Sequence, residues 1–200
     1  MTSIPTPAQE KRFADLDLAA VCEQAFEFYE PLAQAKSLTM TASCSRPALM
    51  RGDVDLVREA ISNLVDNAIK FTPPGGAVHI AAGSIDGQPY VEVSDTGPGV
   101  PIAEREKIFR RFYRAASERG ESGHGLGLSI AEAIARLHGF GLTVEDNHPG
   151  ARFVMRAAAK ASLAIGQALS AAPRDDNPAR RRGALHKFRR PASARSQNII

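Results

Sequence analysis

"DVDLVREAISNLVDNAIKFTPPGG", Asp53 to Gly76, reads as a helix with an abrupt end. Val57, Ile61, Leu64 and Ala68 recur at three- and four-residue steps, which places them on one face of a 3.6-residue helix. "TPPGG" then stops it, because proline cannot continue a helical ladder and glycine favours turns. On the opposite side, Glu59, Asn63, Asn67 and Lys70 fall within about 80° of arc at 100° per residue. Two asparagines inside a helix lower its propensity and add nothing to a core. Two readings of this polar stripe stay open: an ordinary solvated face, or amide oxygens and an ammonium set out for Mg²⁺ and an anion.

Working outward, "AVHIAAGSI" and "PYVEVSD" both alternate apolar with polar residues across "DGQ", the pattern of a β-hairpin. "LTVED" and "ARFVMRA", joined by "NHPG", predict a second hairpin. Between the hairpins, "GLGLSIAEAIARLHG" predicts a helix closed by Gly139. Towards the N-terminus, a short strand near Phe13–Asp15 precedes a helix with Asp17 as N-cap and Leu18, Val21, Ala25 and Phe28 facing inward. A strand near Thr39–Cys44 and a turn at Arg46–Pro47 complete the pattern. Helices interrupt hairpins with no regular βαβ alternation. The expected fold is therefore α+β, a two-layer sandwich with helices on one face of a mixed, mostly antiparallel sheet.

Composition bounds the rest. A chain of 200 residues has room for one domain of about 150 residues plus extensions. Residues 1–12 read as a disordered lead, 13–157 as the folded domain, and 158–200 as a basic, disordered tail. The net charge of +3 divides into +7 from Ala158 onward and −4 before it. The basic balance thus belongs to the tail and gives no reason to expect nucleic-acid binding by the folded body. No run of 18 apolar residues or signal-type leader is present, Cys22 and Cys44 form no metal-type cluster, and a cytoplasmic location is expected.

Two further motifs suggest chemistry. In "VSDTGPGVP" a strand ends at Asp95, and Gly97 and Gly99 keep the next turn open. Such a carboxylate accepts a hydrogen bond from an amino group, as adenine offers and guanine at that edge does not; a plain Asp-Gly turn is the other reading. In "SGHGLGLSI", Gly123, Gly125 and Gly127 lead into a helix start, whose unpaired N–H groups suit a phosphate; a flexible loop before a core helix is the plainer reading. Between them lies a charged segment with Phe109 and Phe112 and with Arg110, Arg111 and Arg114. It reads either as a surface helix or as a lid bringing arginine towards phosphates, mobile until nucleotide binds.

Asn-x-x-x-Asn, Asp-x-Gly-x-Gly, a phenylalanine segment and Gly-x-Gly-x-Gly follow in one order. That order resembles the ATP-binding domain of sensor histidine kinases, with its N, G1, F and G2 boxes, over residues 13–157. The resemblance extends to the gyrase, mismatch-repair and heat-shock chaperone ATPases. It implies Mg²⁺ on Asn63 and Asn67, phosphates near Lys70 and adenine beside Phe71 and Asp95. Gly97 and Gly99 would shape the adenine turn, and Phe109, Phe112 and Arg114 would belong to the lid. Gly123, His124, Gly125, Leu126, Gly127 and Leu128 would wrap the phosphates.

The ATPase branches have a glutamate base where this chain has Asn63, so the resemblance implies phosphotransfer and little hydrolysis. None of His79, His124, His138, His148 and His186 sits in the family's phosphoacceptor context. The implied partners are a histidine-bearing dimerisation domain, in trans or in a longer chain, and indirectly a response regulator. The alternative is a stand-alone ATP-binding regulator of other kinases. Ala151 stands where the family often has threonine near adenine, which implies one contact fewer.

Overall fold

The computed structural model describes residues 12–114 and 125–157. The expected tail, the lead up to Lys11, Gly123 and His124 lie outside the described residues. Strand β1 (Ala14–Asp17) runs into helix α1 (Leu18–Ala35), then β2 (Thr39–Cys44), β3 (Leu49–Gly52) and helix α2 (Val54–Phe71). After these come the hairpin β4 (Ala77–Ile85) and β5 (Gln88–Asp95), a 3₁₀ turn at Ile102–Glu104, helix α3 (Gly127–Leu137), and the hairpin β6 (Phe140–Asp146) and β7 (Ala151–Ala157).

Five strands form the main sheet in the order β2-β4-β5-β7-β6, with β2 parallel to β4 and every other pair antiparallel. Inward residues of the central strands, Val78, Ile80, Val91, Val93 and Phe153, are buried under the helices. From α2 they meet Val57, Ile61, Leu64 and Ala68, the face predicted by spacing. The expected α+β sandwich is the fold.

Local chemistry explains most boundaries. Asp17 caps α1 by accepting from the Ala19 N–H at 3.1 Å, and the same oxygen accepts from the Ala48 N–H at 3.2 Å. Asp53 caps α2, accepting from the N–H groups of Asp55 and Leu56. Asp86 and Gly87 both have positive φ, 53° and 73°, in the two-residue turn between β4 and β5.

Two expectations change. Phe28 is not on the inner face of α1; it is 76% exposed, while Tyr29, one residue on, is buried. Phe28 lies at the rim of the apolar arc, and a one-residue step of 100° puts Tyr29 nearer its centre. Strand β3 was not expected at all. It pairs antiparallel with β1 as a separate two-stranded sheet, Asp15 opposite Arg51 and Leu16 opposite Met50.

His138 does more than end α3. Its Nε2 accepts from the Asp53 N–H at 3.0 Å, its Nδ1 bonds the Ile134 carbonyl at 2.8 Å, and its ring stacks on Phe13 at 4.8 Å. These contacts place the hydrogen on Nδ1 and join the end of α3 to the start of α2. A Cβ on Gly52 would lie 2.5 Å from the imidazole, so glycine there makes room for the ring.

Candidate functional site

A cavity of about 420 Å³ opens between the C-terminal half of α2, the turn after β5, the segment around Glu104–Ile108, the start of α3 and the start of β7. Asn67, Lys70, Phe71, Asp95, Gly99 and Leu128 all line it. Residues from three separated stretches of sequence therefore meet in one place. Ile108, Val100 and Phe153 provide an apolar wall, suited to a flat ring, and Lys36 of α1 joins the lining.

Asp95 is buried, 4% exposed, at the end of β5. Its Oδ1 accepts from the Gly97 N–H at 2.8 Å and from the Ala151 N–H at 3.3 Å. Both bonds fall on one oxygen, which leaves Oδ2 as the carboxylate's second acceptor beside the cavity. Burial raises the carboxyl pKa above the ordinary value, and the two N–H groups pull it partly back. The bond from position 151 to Asp95 comes from the backbone N–H and needs no side chain there. Asn147 completes the support: its Nδ2 donates to the Asp95 carbonyl at 2.8 Å.

The glycines of this turn have steric reasons. A Cβ on Gly97 would sit 2.9 Å from both Asp95 Oδ1 and the Phe71 carbonyl oxygen. Gly99 has φ +71° and packs its backbone against Gly150. Each lets two chain segments approach at backbone distance.

On α2, Asn63 donates its amide N–H to the Glu59 carbonyl at 3.0 Å, one turn back. Its Oδ1 is left to face the start of α3, where a Cβ on Gly127 would come within 2.9 Å. Gly127 therefore permits the close packing of α3 against the asparagine helix. Asn67 and Lys70 reach the cavity, Asn63 is half-buried and not among its lining residues, and Glu59 is exposed. The Lys70 ammonium lies 4.7 Å over the Phe71 ring.

Helix α3 begins at Gly127, and its N-cap residue Leu126 supplies no side-chain cap to the first N–H groups. Gly125, at φ +65°, approaches the Tyr113 carbonyl, and the Phe112 N–H donates to the Gly125 carbonyl at 2.9 Å. Gly125, Leu126 and Gly127 stand next to the cavity wall formed by Leu128 and are not themselves among its lining residues.

The segment before the glycines is anchored over part of its length, contrary to a lid mobile throughout. Ile108 is buried, and Phe109 packs edge-on against Phe153 at 6.5 Å. Arg105 bonds the Val100 carbonyl and pairs with Asp146 at 2.7 Å. Phe112 points outward, 72% exposed with φ +62°, and Arg110, Arg111 and Arg114 are also exposed and do not line the cavity. The apolar residues at 108 and 109 supply the burial that holds this half down.

Sequence reasoning missed three supports: Lys36, Asn147 and the Ala151 backbone. Lys36 is 31 residues from Asn67 in sequence, and Asn147 lies in a turn whose partner is 52 residues away.

The family model described as "Histidine kinase-, DNA gyrase B-, and HSP90-like ATPase" matches residues 52–161. The adaptive-response sensory kinase SasA of Thermosynechococcus vestitus is 37% identical over 137 residues, 68% of this chain and 36% of that protein. The signal transduction histidine-protein kinase/phosphatase MprB of Mycolicibacterium paratuberculosis is 46% identical over 106 residues, covering 52% of this chain and 20% of that protein. Among solved structures, full-length ShkA in complex with AMPPNP matches with a TM-score of 0.65 at 30% identity, over 72% of this chain and 30% of that one. A mycobacterial sensor histidine kinase MprB structure matches with a TM-score of 0.62 at 28% identity, over 72% and 95%. The chain thus spans about a third or less of the curated relatives' length. With the cavity, the buried aspartate and the glycine-flanked helix start assembled as described, the chain belongs to the histidine kinase-, DNA gyrase B- and HSP90-like ATPase family.

Proposed function

We propose that this chain is the ATP-binding catalytic module of a two-component sensor histidine kinase. It would bind Mg²⁺–ATP and pass the γ-phosphate to a histidine on a dimerisation domain, which in turn serves a response regulator. The observation that carries this reading is the Asp95 carboxylate, held by two backbone N–H groups at one end of a cavity that Asn67 and Lys70 enter from α2. Asp95 Oδ2 accepts from the adenine amino group, Phe71 and Ile108 flank the ring, and Lys70 faces the phosphates. With its amide nitrogen committed to Glu59, Asn63 offers oxygen, and Asn67 offers a second one a turn away, a neutral oxygen pair that fits Mg²⁺. When bound, the ion offsets charge on the triphosphate.

Transfer is an in-line attack of a histidine nitrogen on the γ-phosphorus, so positioning and charge neutralisation do most of the work. The amide of Asn63 cannot take a proton from water, which favours transfer over hydrolysis. His79 bonds Thr41, and His138 is committed to Asp53 and Ile134, so neither is a phosphoacceptor at this cavity. None of the chain's five histidines sits in the family's phosphoacceptor context, so this reading takes the acceptor from another domain. ATP as donor places the module in the cytoplasm.

Labelled ATP should leave no stable phosphohistidine on this chain alone and should label an added dimerisation domain, at a rate rising with acceptor concentration. Asn67→Ala should abolish most of that transfer while far-UV circular dichroism stays unchanged, because a half-exposed helix asparagine contributes little to stability. An unfolded variant, or one with full transfer, refutes the role given to Asn67. ATP bound in the micromolar-to-millimolar range, about −4 to −8 kcal/mol, with no transfer to any acceptor would favour the stand-alone regulator.

ATP affinity should fall as pH drops through the raised pKa of Asp95, since a protonated carboxyl loses acceptor capacity. Stability runs the other way. The folded, nucleotide-free protein holds this proton more tightly than the unfolded chain, whose carboxyl titrates near about pH 3.9. Ionisation of Asp95 therefore lowers stability as pH rises from that value through the folded pKa. Calorimetric titration across mildly acid to neutral pH reads the binding effect. Asp95→Asn should retain the phosphate's own titration and lose the carboxyl's; identical pH profiles for the two proteins exclude the assignment.

A further inference from the structure

The last turn of α2 carries Lys70 and Phe71 into the cavity, yet it lacks two of its natural partners. In a helix each carbonyl accepts from the N–H four residues on. Thr72 serves the Ala68 carbonyl in this way, through its N–H at 3.1 Å and its hydroxyl at 2.6 Å. The next two donors would be residues 73 and 74, for the carbonyls of Ile69 and Lys70. Both are proline and have no N–H.

Those two carbonyls are the ones that Lys36 takes up. Its ammonium donates to the Ile69 carbonyl at 2.7 Å and to the Lys70 carbonyl at 2.6 Å. Lys36 is the C-cap residue of α1, and its own N–H turns back onto the carbonyls of that helix. Its backbone is thereby held while the side chain crosses to α2. The neighbouring chain is held too: the Gly75 N–H donates to the Ser37 carbonyl at 2.8 Å, and the Thr39 N–H to the Gly76 carbonyl at 2.9 Å. A positive charge also suits the negative end of the α2 dipole. The Lys70 carbonyl that it grips belongs to a residue whose side chain lines the cavity, and Lys36 lines the cavity as well.

We propose that Lys36 is a positioning residue of the nucleotide site, replacing from another helix the two backbone donors that Pro73 and Pro74 remove and so holding Lys70 and Phe71 in place. This rests on the reading of the cavity as an ATP site. Lysine suits this role because it has three donors on one flexible stem and needs only a point contact with two adjacent oxygens.

The test is a cycle of Lys36→Met with Pro73→Ala/Pro74→Ala, which returns two backbone donors. Isothermal titration with Mg²⁺–ATP and amide hydrogen exchange at residues 70–72 are measured on all four proteins. Lys36→Met alone should weaken ATP roughly tenfold, on the scale of one lost charge-assisted contact, and speed exchange at residues 70–72. In the double-alanine background the same change should cost less than about threefold, and Lys36→Arg in the natural background should stay near the parent.

An equal loss in both backgrounds would show that the charge acts on the nucleotide directly and overturn the proposal, as would unchanged affinity and exchange in Lys36→Met. If Lys36→Met does not fold, Lys36→Gln, which keeps uncharged donors on a shorter stem, should show a smaller loss of affinity that the double-alanine background again reduces. Failure of the unaltered protein to bind ATP would count against the nucleotide reading, and exchange at residues 70–72 would still decide whether Lys36 holds the helix end.

Discussion

Asp95→Asn should leave the fold in place and remove most of the preference for ATP. The asparagine Oδ1 can keep the bonds from Gly97 and Ala151, so the turn after β5 retains its support. The other position, however, becomes an NH₂ group facing the adenine amino group, donor against donor. Leaving a buried donor unsatisfied costs about 1–3 kcal/mol, or roughly 5- to 150-fold in affinity. Guanine carries a carbonyl at the corresponding edge, so the same change should improve GTP relative to ATP. Calorimetry with both nucleotides on both proteins measures the two effects. Equal affinity of the parent protein for ATP and GTP would remove the role assigned to Asp95, whatever the variant did.

Gly150→Ala should cause the larger loss of stability. Gly150 has φ +112°, a region that L-residues rarely adopt, which alone costs on the order of 1–3 kcal/mol. An added Cβ would also run into the backbone carbonyl of Asp95. Relief requires the β6–β7 turn to move away from β5, and that breaks the bonds from Asn147 and Ala151 to Asp95. A total of about 3–5 kcal/mol places it among the severe single changes. At roughly 2–4 °C per kcal/mol for a chain of this size, the melting temperature should fall by about 10 °C. ATP binding should fall with it, because the same movement releases the carboxylate. Gly87→Asn is the control: its φ of +73° tolerates asparagine, and a Cβ there meets nothing within 4 Å. A mild Gly150→Ala, or a severe Gly87→Asn, would contradict this account of the turn.

The features legible in the chain alone lie within single elements. The period of Val57, Ile61, Leu64 and Ala68 marked the buried face of α2, and the strand patterns flanking short turns marked the β4–β5 and β6–β7 hairpins. Helical and extended backbones each repeat with one fixed period, so burial of one face leaves a local record. The glycines and Asp95 were legible because few residue types suit a backbone-distance turn or a buried acceptor.

The features that emerged only on folding depend on pairs far apart in the chain. Strand β3 exists because β1 lies beside it, and four residues ending in Arg51 and Gly52 hold no pattern strong enough to announce it. Phe28 and Tyr29 are both aromatic neighbours on α1, and the position of α2 and the sheet selects which one is buried. Phe109 is held by Phe153, 44 residues on, while Phe112 remains outside. Lys36 and His138 read locally as residues at helix ends. The Lys36 ammonium and the His138 Nε2 nevertheless meet carbonyls and an N–H 33 to 85 residues away, and chain folding alone brings those groups within hydrogen-bond reach.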